Sequence, residues 1–175
     1  MTRDPFDILG LPATFALDAD ALEARVRELQ RAFHPDRHAS GTPAERRAAL
    51  SRAVTVNEAH RVLRDDLSRA AAILRLRGRE VKEGGGQADP AFLMEIMELR
   101  ETLGEARAAR AIERVRALAG EVRASLERSK AALADALDAR GDLERAEAEL
   151  SKMRYYRRFL DEVELAEEDA ASPAP

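Results

Sequence analysis

His34, Pro35 and Asp36 lie within RAFHPDRHASGTP, residues 31–43, a stretch that holds two of the chain's three histidines. An imidazole two residues from a carboxylate can serve as a general base with an orienting partner. That chemistry needs a group to activate, and the sequence carries no serine or cysteine nucleophile in a strained, glycine-flanked turn and no phosphate-cradling glycine loop. A metal site is weaker still, because His34 and His38 share a face only on a continuous helix and Pro35 interrupts it. Docking is another role open to the corner. Arg27, Arg31 and His34 fall at i, i+4 and i+7 on one side of a helix, and Arg37 extends the positive charge past the turn, which suits an acidic partner. The competing reading assigns these charges to ordinary intrahelical pairs, Glu23 with Arg27 and Glu28 with Arg31, on a solvated face. His60 lies on an inward stripe and reads as packed core.

The elements that position the corner are legible from spacing. Asp18 or Asp20 can cap a helix whose Leu22, Val26, Leu29 and Phe33 form one stripe, and the helix cannot pass His34 because Pro35 lacks an N–H and disfavours helical geometry before it. Thr42, Pro43 and Glu45 then make a capping box, the start of a second helix with Ala49, Ala53, Val56, His60 and Leu63 on one side. The two helices predict an antiparallel hairpin with His-Pro-Asp at its tip. A further helix is expected from Asp66 to Arg77, stopped by Gly78.

The run GREVKEGGGQADP contains three consecutive glycines, which resist ordering, so a linker is placed at 79–89 between a first domain at 1–78 and a second at 90–168. In the second domain Asp89-Pro90 opens a helix that Gly104 is expected to break. A long helix with Ile112, Val115, Ala119, Val122, Leu126 and Leu133 follows to about Arg140, then Gly141-Asp142 turns the chain into a returning helix with Leu143, Ala146, Leu150, Met153, Tyr156, Leu160 and Val163 buried. From Glu164 onward the chain reads as a frayed tail, with 169–175 disordered.

The helix after Asp89 has apolar residues on two sides. Phe92, Ile96, Leu99 and Leu103 fall in one narrow arc, enough to anchor it, yet Leu93, Met97 and Met94 lie about 100°, 140° and 200° from Phe92 on a wheel of about 100° per residue. Glu98, Arg100 and Glu101 rim this surplus patch, and methionines suit an adaptable surface. Tyr155 and Phe159 form a second surplus pair on the returning helix, which could adjoin the first. Periodicity alone does not say which neighbour covers a face. Burial against adjacent elements, a weak homodimer and capture of a partner all remain open.

Composition sets the class. With 45% hydrophobic, 35% charged and only 4% aromatic residues, the 175-residue chain reads as all-α. A net charge of -4 argues against nucleic acid as a partner. The absence of cysteine removes disulfides and Cys-held zinc or iron–sulfur groups and fits a reducing compartment. Neither a secretory signal nor a membrane-length apolar run is visible, so a cytoplasmic chain with no membrane partner is expected.

The order basic amphipathic helix, HPD, polar loop and capped antiparallel helix with VNEAHRVLRD resembles the J-domain over roughly the first 78 residues. The resemblance implies docking on an ATPase chaperone of the DnaK/HscA class, stimulating hydrolysis by that partner without catalysis by this chain. His34, Pro35 and Asp36 would be the trigger and Arg27, Arg31 and Arg37 the positive face. FLMEIMELRETL followed by a long helical hairpin is similar to the C-terminal domain of the HscB family, J-domain co-chaperones of iron–sulfur cluster assembly, and LPATFALDADALEARVRELQRAFHPDRHASG resembles that family's N-terminal half. Together these stretches run from Phe6 to Val163. The resemblance implies an IscU-type scaffold protein captured at Leu93, Met94, Met97, Glu98, Arg100 and Glu101, with Tyr155 where the family has an aromatic on the last helix, and no cofactor. The alternative keeps the J-like domain but makes the helical hairpin an oligomerisation or broad client-binding module.

Overall fold

The computed structural model describes residues 4–38, 41–81 and 89–171, so the three-glycine run and the last four residues lie outside it. Among the described residues the chain is all-α, with seven α-helices and no strand. It divides into two compact units, Met1–Glu80 and Val81–Pro175.

In the first unit Asp4 caps the short α1 (Pro5–Leu9), whose Phe6 and Leu9 are buried. Asp18 rather than Asp20 caps α2 (Ala19–Ala32): its Oδ1 accepts from the N–H groups of Asp20 and Ala21. Pro35 opens a 3₁₀ turn, Pro35–His38, and the Thr42–Glu45 capping box starts α3 (Pro43–Arg64). Phe6, Leu9, Phe15, Leu22, Val26, Val56, Ala59 and Leu63 make the core, with Ile73 and Leu74 from α4 (Asp66–Leu76). Each large side chain fully buried there contributes about 1.5–3 kcal/mol of transfer free energy. One residue, Asp65, joins α3 to α4 and caps the latter, its Oδ2 accepting from Ser68 N–H at 2.8 Å. Arg69 is buried beside it and ties three segments together. Its guanidinium donates to the carbonyls of Phe15 at 2.9 Å and Leu63 at 2.6 Å, pairs with Asp66, and lies 4.9 Å from the Phe15 ring centre.

The second unit is a three-helix bundle. Asp89 and Pro90 start α5 (Pro90–Ala108), which packs on a hairpin of α6 (Ile112–Ala134) and α7 (Leu143–Ala171). The core joins Phe92, Ile96 and Leu103 to Val115, Leu118, Ala119 and Val122 and to Tyr156, Phe159, Val163 and Ala166. A π-helical turn, Asp135–Arg140, ends the outgoing arm. Gly141 at φ 66 then reverses the chain, and Asp142 caps α7 by accepting from Arg145 N–H at 3.0 Å.

Two expectations fail here. Gly104 does not break α5: an isolated helical glycine costs about 1 kcal/mol, and buried Leu103 and Ala106 on either side hold the helix through it. The tail expected over 169–175 is helical as far as Ala171, because the buried stripe continues past Val163 to Ala166.

The helix α5 ends instead at Ala108, two residues before Arg110, the one described non-glycine residue with positive φ, at 52°. Ala111 N–H donates to Ala106 O at 2.9 Å and Arg110 N–H to Arg107 O at 3.0 Å, the paired bonds of a Schellman closure. That site favours glycine, since a left-handed L-residue costs about 1–2 kcal/mol. Arg110→Gly is therefore expected to stabilise the second unit by about 0.5–1 kcal/mol after glycine's greater unfolded-state freedom is subtracted. Urea unfolding followed by far-UV circular dichroism measures it, and a lower midpoint would show that the arginine side chain contributes more than the strain it imposes.

Candidate functional site

The first candidate surface is the corner after α2. Phe33 closes the helix through its N–H to Leu29 O, and its ring lies 5.6 Å below the Arg52 guanidinium. His34 is therefore the first residue free to turn outward, and its side chain is 58% exposed while that of Asp36 is 89% exposed. Asp36 N–H donates to His34 Nδ1 at 3.3 Å, which places the neutral ring's proton on Nε2, pointing away from the backbone. Asp36 Oδ2 lies 3.5 Å from the same Nδ1. A shallow groove of about 760 Å³ runs back from the corner, lined by Arg27, Gln30, Arg31, His34 and Arg37. All the predicted basic residues thus meet on one surface. Gln30, which charge patterning passes over, joins them and hydrogen-bonds Asn57 across the hairpin at 2.9 Å.

The ion pairs around this surface differ from expectation. Glu28 pairs with Arg25 at 2.7 Å, not with Arg31, whose Nε donates to Arg27 O. Glu23 pairs with His60, not with Arg27: His60 Nε2 lies 2.8 Å from Glu23 Oε1. His60 is consequently a half-buried clasp between α2 and α3 rather than packed core. The hydrogen bond from His60 is the main cause of a carboxyl pKa in Glu23 below its usual 4.5, with the charges of His60, Arg64 and Arg27 adding to it against a smaller opposing effect of burial.

The second candidate surface is the outer face of α5. Phe92 sets the helix rotation by packing edge-on against Tyr155 at 5.7 Å and Tyr156 at 5.4 Å between ring centres. With Phe92, Ile96 and Leu103 turned inward, Met94 and Met97 are 63% and 68% exposed, Leu93 is half-buried, and Glu98 and Glu101 face solvent. Arg100 differs from a free rim charge, because its guanidinium reaches Glu162 of α7 at 2.6 Å. This pair, invisible to local pattern, shows which flank of α5 meets α7. Leu93 lies within about 20° of Arg100 on the wheel, on the flank of α5 that meets α7. Tyr155 is half-buried, and Arg158 lies 4.6 Å over its ring. Phe159, expected to share this surface, is fully buried in the core, because α7 packs against two helices and so hides a wider arc than one stripe.

Residues 88–164 match the family model described as the HSCB C-terminal oligomerisation domain. The co-chaperone protein HscB homologue of Burkholderia multivorans is 41% identical over 159 residues, 90% of each chain, and that of Cupriavidus taiwanensis is 42% identical over 157 residues, 89% of each. Among solved structures, the chaperone HscB from Vibrio cholerae superposes with a TM-score of 0.83 at 34% identity, over 95% of this chain and 99% of its own. The human co-chaperone protein HscB gives a TM-score of 0.85 at 30% identity, over 95% of this chain and 83% of its own.

Two expected outcomes follow from the geometry. Phe92→Ala should cost the second unit about 3–5 kcal/mol, whereas Met94→Ser with Met97→Ser should change stability by no more than about 0.5 kcal/mol, both read from urea midpoints. Glu23's depressed pKa gives a stabilising contribution that is complete above 4.5 and disappears as pH falls through its lower folded value. Acid titrations should show wild type losing more stability than Glu23→Gln over that window, and parallel curves would mean the clasp contributes nothing.

Proposed function

Because the chain belongs to the HscB co-chaperone family, we propose that it captures an IscU-type iron–sulfur scaffold on the outer face of α5 and presents it to a DnaK/HscA-type chaperone, whose ATPase it stimulates through the His34–Asp36 corner. This is a co-chaperone family and not an enzyme family. The observation that carries the reading is the exposure of Met94 and Met97 beside Leu93 on a helix whose core-facing residues are already buried in its own unit. A contiguous apolar strip of this kind is uncommon on a surface without a partner, and its charged rim supplies orientation. At the other unit, the groove of Arg27, Arg31 and Arg37 offers positive charge to an acidic face of the chaperone.

Covalent linkage of the two surfaces is what makes the reading a mechanism. A scaffold held on one unit is delivered at raised effective concentration to a chaperone engaged by the other, without either contact having to be strong. The chain itself does no bond-breaking chemistry in this scheme, and the cluster is the scaffold's cargo. No described helix is long and apolar enough to cross a membrane. A second reading, self-association through the same strip, draws on the oligomerisation wording of the matching family description. Sedimentation velocity of the full chain separates the two, since a concentration-dependent dimer that dissociates on Met94→Ser/Met97→Ser substitution would favour it.

His34→Gln is expected to abolish stimulation of the chaperone ATPase and leave scaffold binding within about twofold of wild type, because the corner is far in sequence from the strip and exposed. Leu93→Ser with Met97→Ser should remove scaffold binding and leave scaffold-independent stimulation intact. Steady-state ATP turnover and a titration with purified scaffold check both arms. Loss of both activities in either folded variant contradicts the division of labour.

A further inference from the structure

We infer that Arg158 is the basic end of the scaffold-docking strip and receives a carboxylate of the captured protein, so that the partner seats in one orientation; this rests on the reading of the strip as the scaffold site. The guanidinium is held in place before any partner arrives. It stacks 4.6 Å over the Tyr155 ring, and its Nε donates to Arg154 O at 3.3 Å. Among the described residues no carboxylate lies within ion-pairing distance of it, and Glu162, one turn further along α7, pairs with Arg100. An exposed cation on an aromatic platform, restrained and unneutralised, is suited to accept an acid from outside.

Its place relative to the strip gives the inference direction. By wheel angle on α5, the outer face runs from Glu98, Met94 and Glu101 through Met97 and Leu93 to the flank that meets α7 through Arg100 and Glu162, and on α7 Tyr155, which packs on Phe92, carries Arg158 over its ring. The edge away from α7 carries the acids, the middle is apolar and the edge on α7 is basic. A partner with a cation for Glu98 or Glu101 and an acid for Arg158 fits in one sense only, because the reversed pose sets like charges against each other. The apolar middle has no such polarity and could hold a grease-faced partner either way round.

The test is a titration of the full chain with purified IscU-type scaffold at about 50 mM and about 500 mM NaCl, a range across which exposed charge pairs are progressively screened. Arg158→Glu should bind about tenfold more weakly at the lower salt and within about twofold of wild type at the higher. Arg158→Lys, which keeps the charge, should stay within about threefold at both. Arg158→Glu binding as tightly as wild type at low salt overturns the inference. An equal loss at both salts also overturns it, since the defect would then be the lost platform packing and not the charge. Leu93→Ser with Met97→Ser, run alongside, reports on the strip separately: unchanged binding by that variant together with a salt-dependent Arg158→Glu defect removes the strip reading and leaves the charge contact standing.

Discussion

Phe92 meets two tyrosines of α7 edge-on, at 5.7 and 5.4 Å between ring centres, and these contacts fix the rotation of α5 about its own axis. Everything on that helix follows from the setting. With Phe92 inward, the i+4 and i+11 positions, Ile96 and Leu103, are carried into the core, while Leu93, Met94 and Met97 are turned to the flank or the solvent. A rotation of one residue position, about 100°, would carry Leu93 and Met97 toward the core and move the aromatic anchor to the flank. Edge-to-face geometry resists such slippage because the ring quadrupoles prefer it over neighbouring arrangements. The Arg100–Glu162 pair locks the same rotation two turns further on.

The first unit solves a different problem, which is to hold a polar corner steady at the end of a hairpin. Proline stops α2 from continuing, and the Phe33 N–H bond to Leu29 O closes the helix immediately before it. Behind the corner the two helices are joined by Glu23 with His60 and by Gln30 with Asn57. Arg69 anchors the opposite end, satisfying two carbonyls and a carboxylate from the buried side. A buried guanidinium is tolerated only with its hydrogen bonds filled, so Arg69 binds the loop at Phe15, the end of α3 and the start of α4 to a single geometry.

What could be read from the sequence was what local physics decides. Caps at Asp18, Thr42, Asp89 and Asp142 and the proline stop at His34 depend on neighbours within a few residues, and each is present in the fold. The inward arc of α5 was equally plain, since a single face serves a single neighbour. Failures came where a second neighbour intervened. Phe159 looked surplus because the stripe on α7 was matched to one partner helix, whereas two cover it. No local pattern reveals the partners of Glu162 and His60, which lie 62 and 37 residues away in the chain. Gly104 misled in the opposite sense, as glycine only weakens a helix that packing on both sides sustains.

The exposed methionines give the strip a chemical vulnerability. The chain has no cysteine, and Met153 is sealed in the core, so an oxidant reaching the second unit finds its open sulfur atoms at Met94 and Met97. Adding one oxygen to each thioether would turn the middle of a greasy strip into two strong dipoles without disturbing the packed core behind it. Reductive repair would restore the original surface. A surface of this build would change its character under oxidation before the fold behind it gave way.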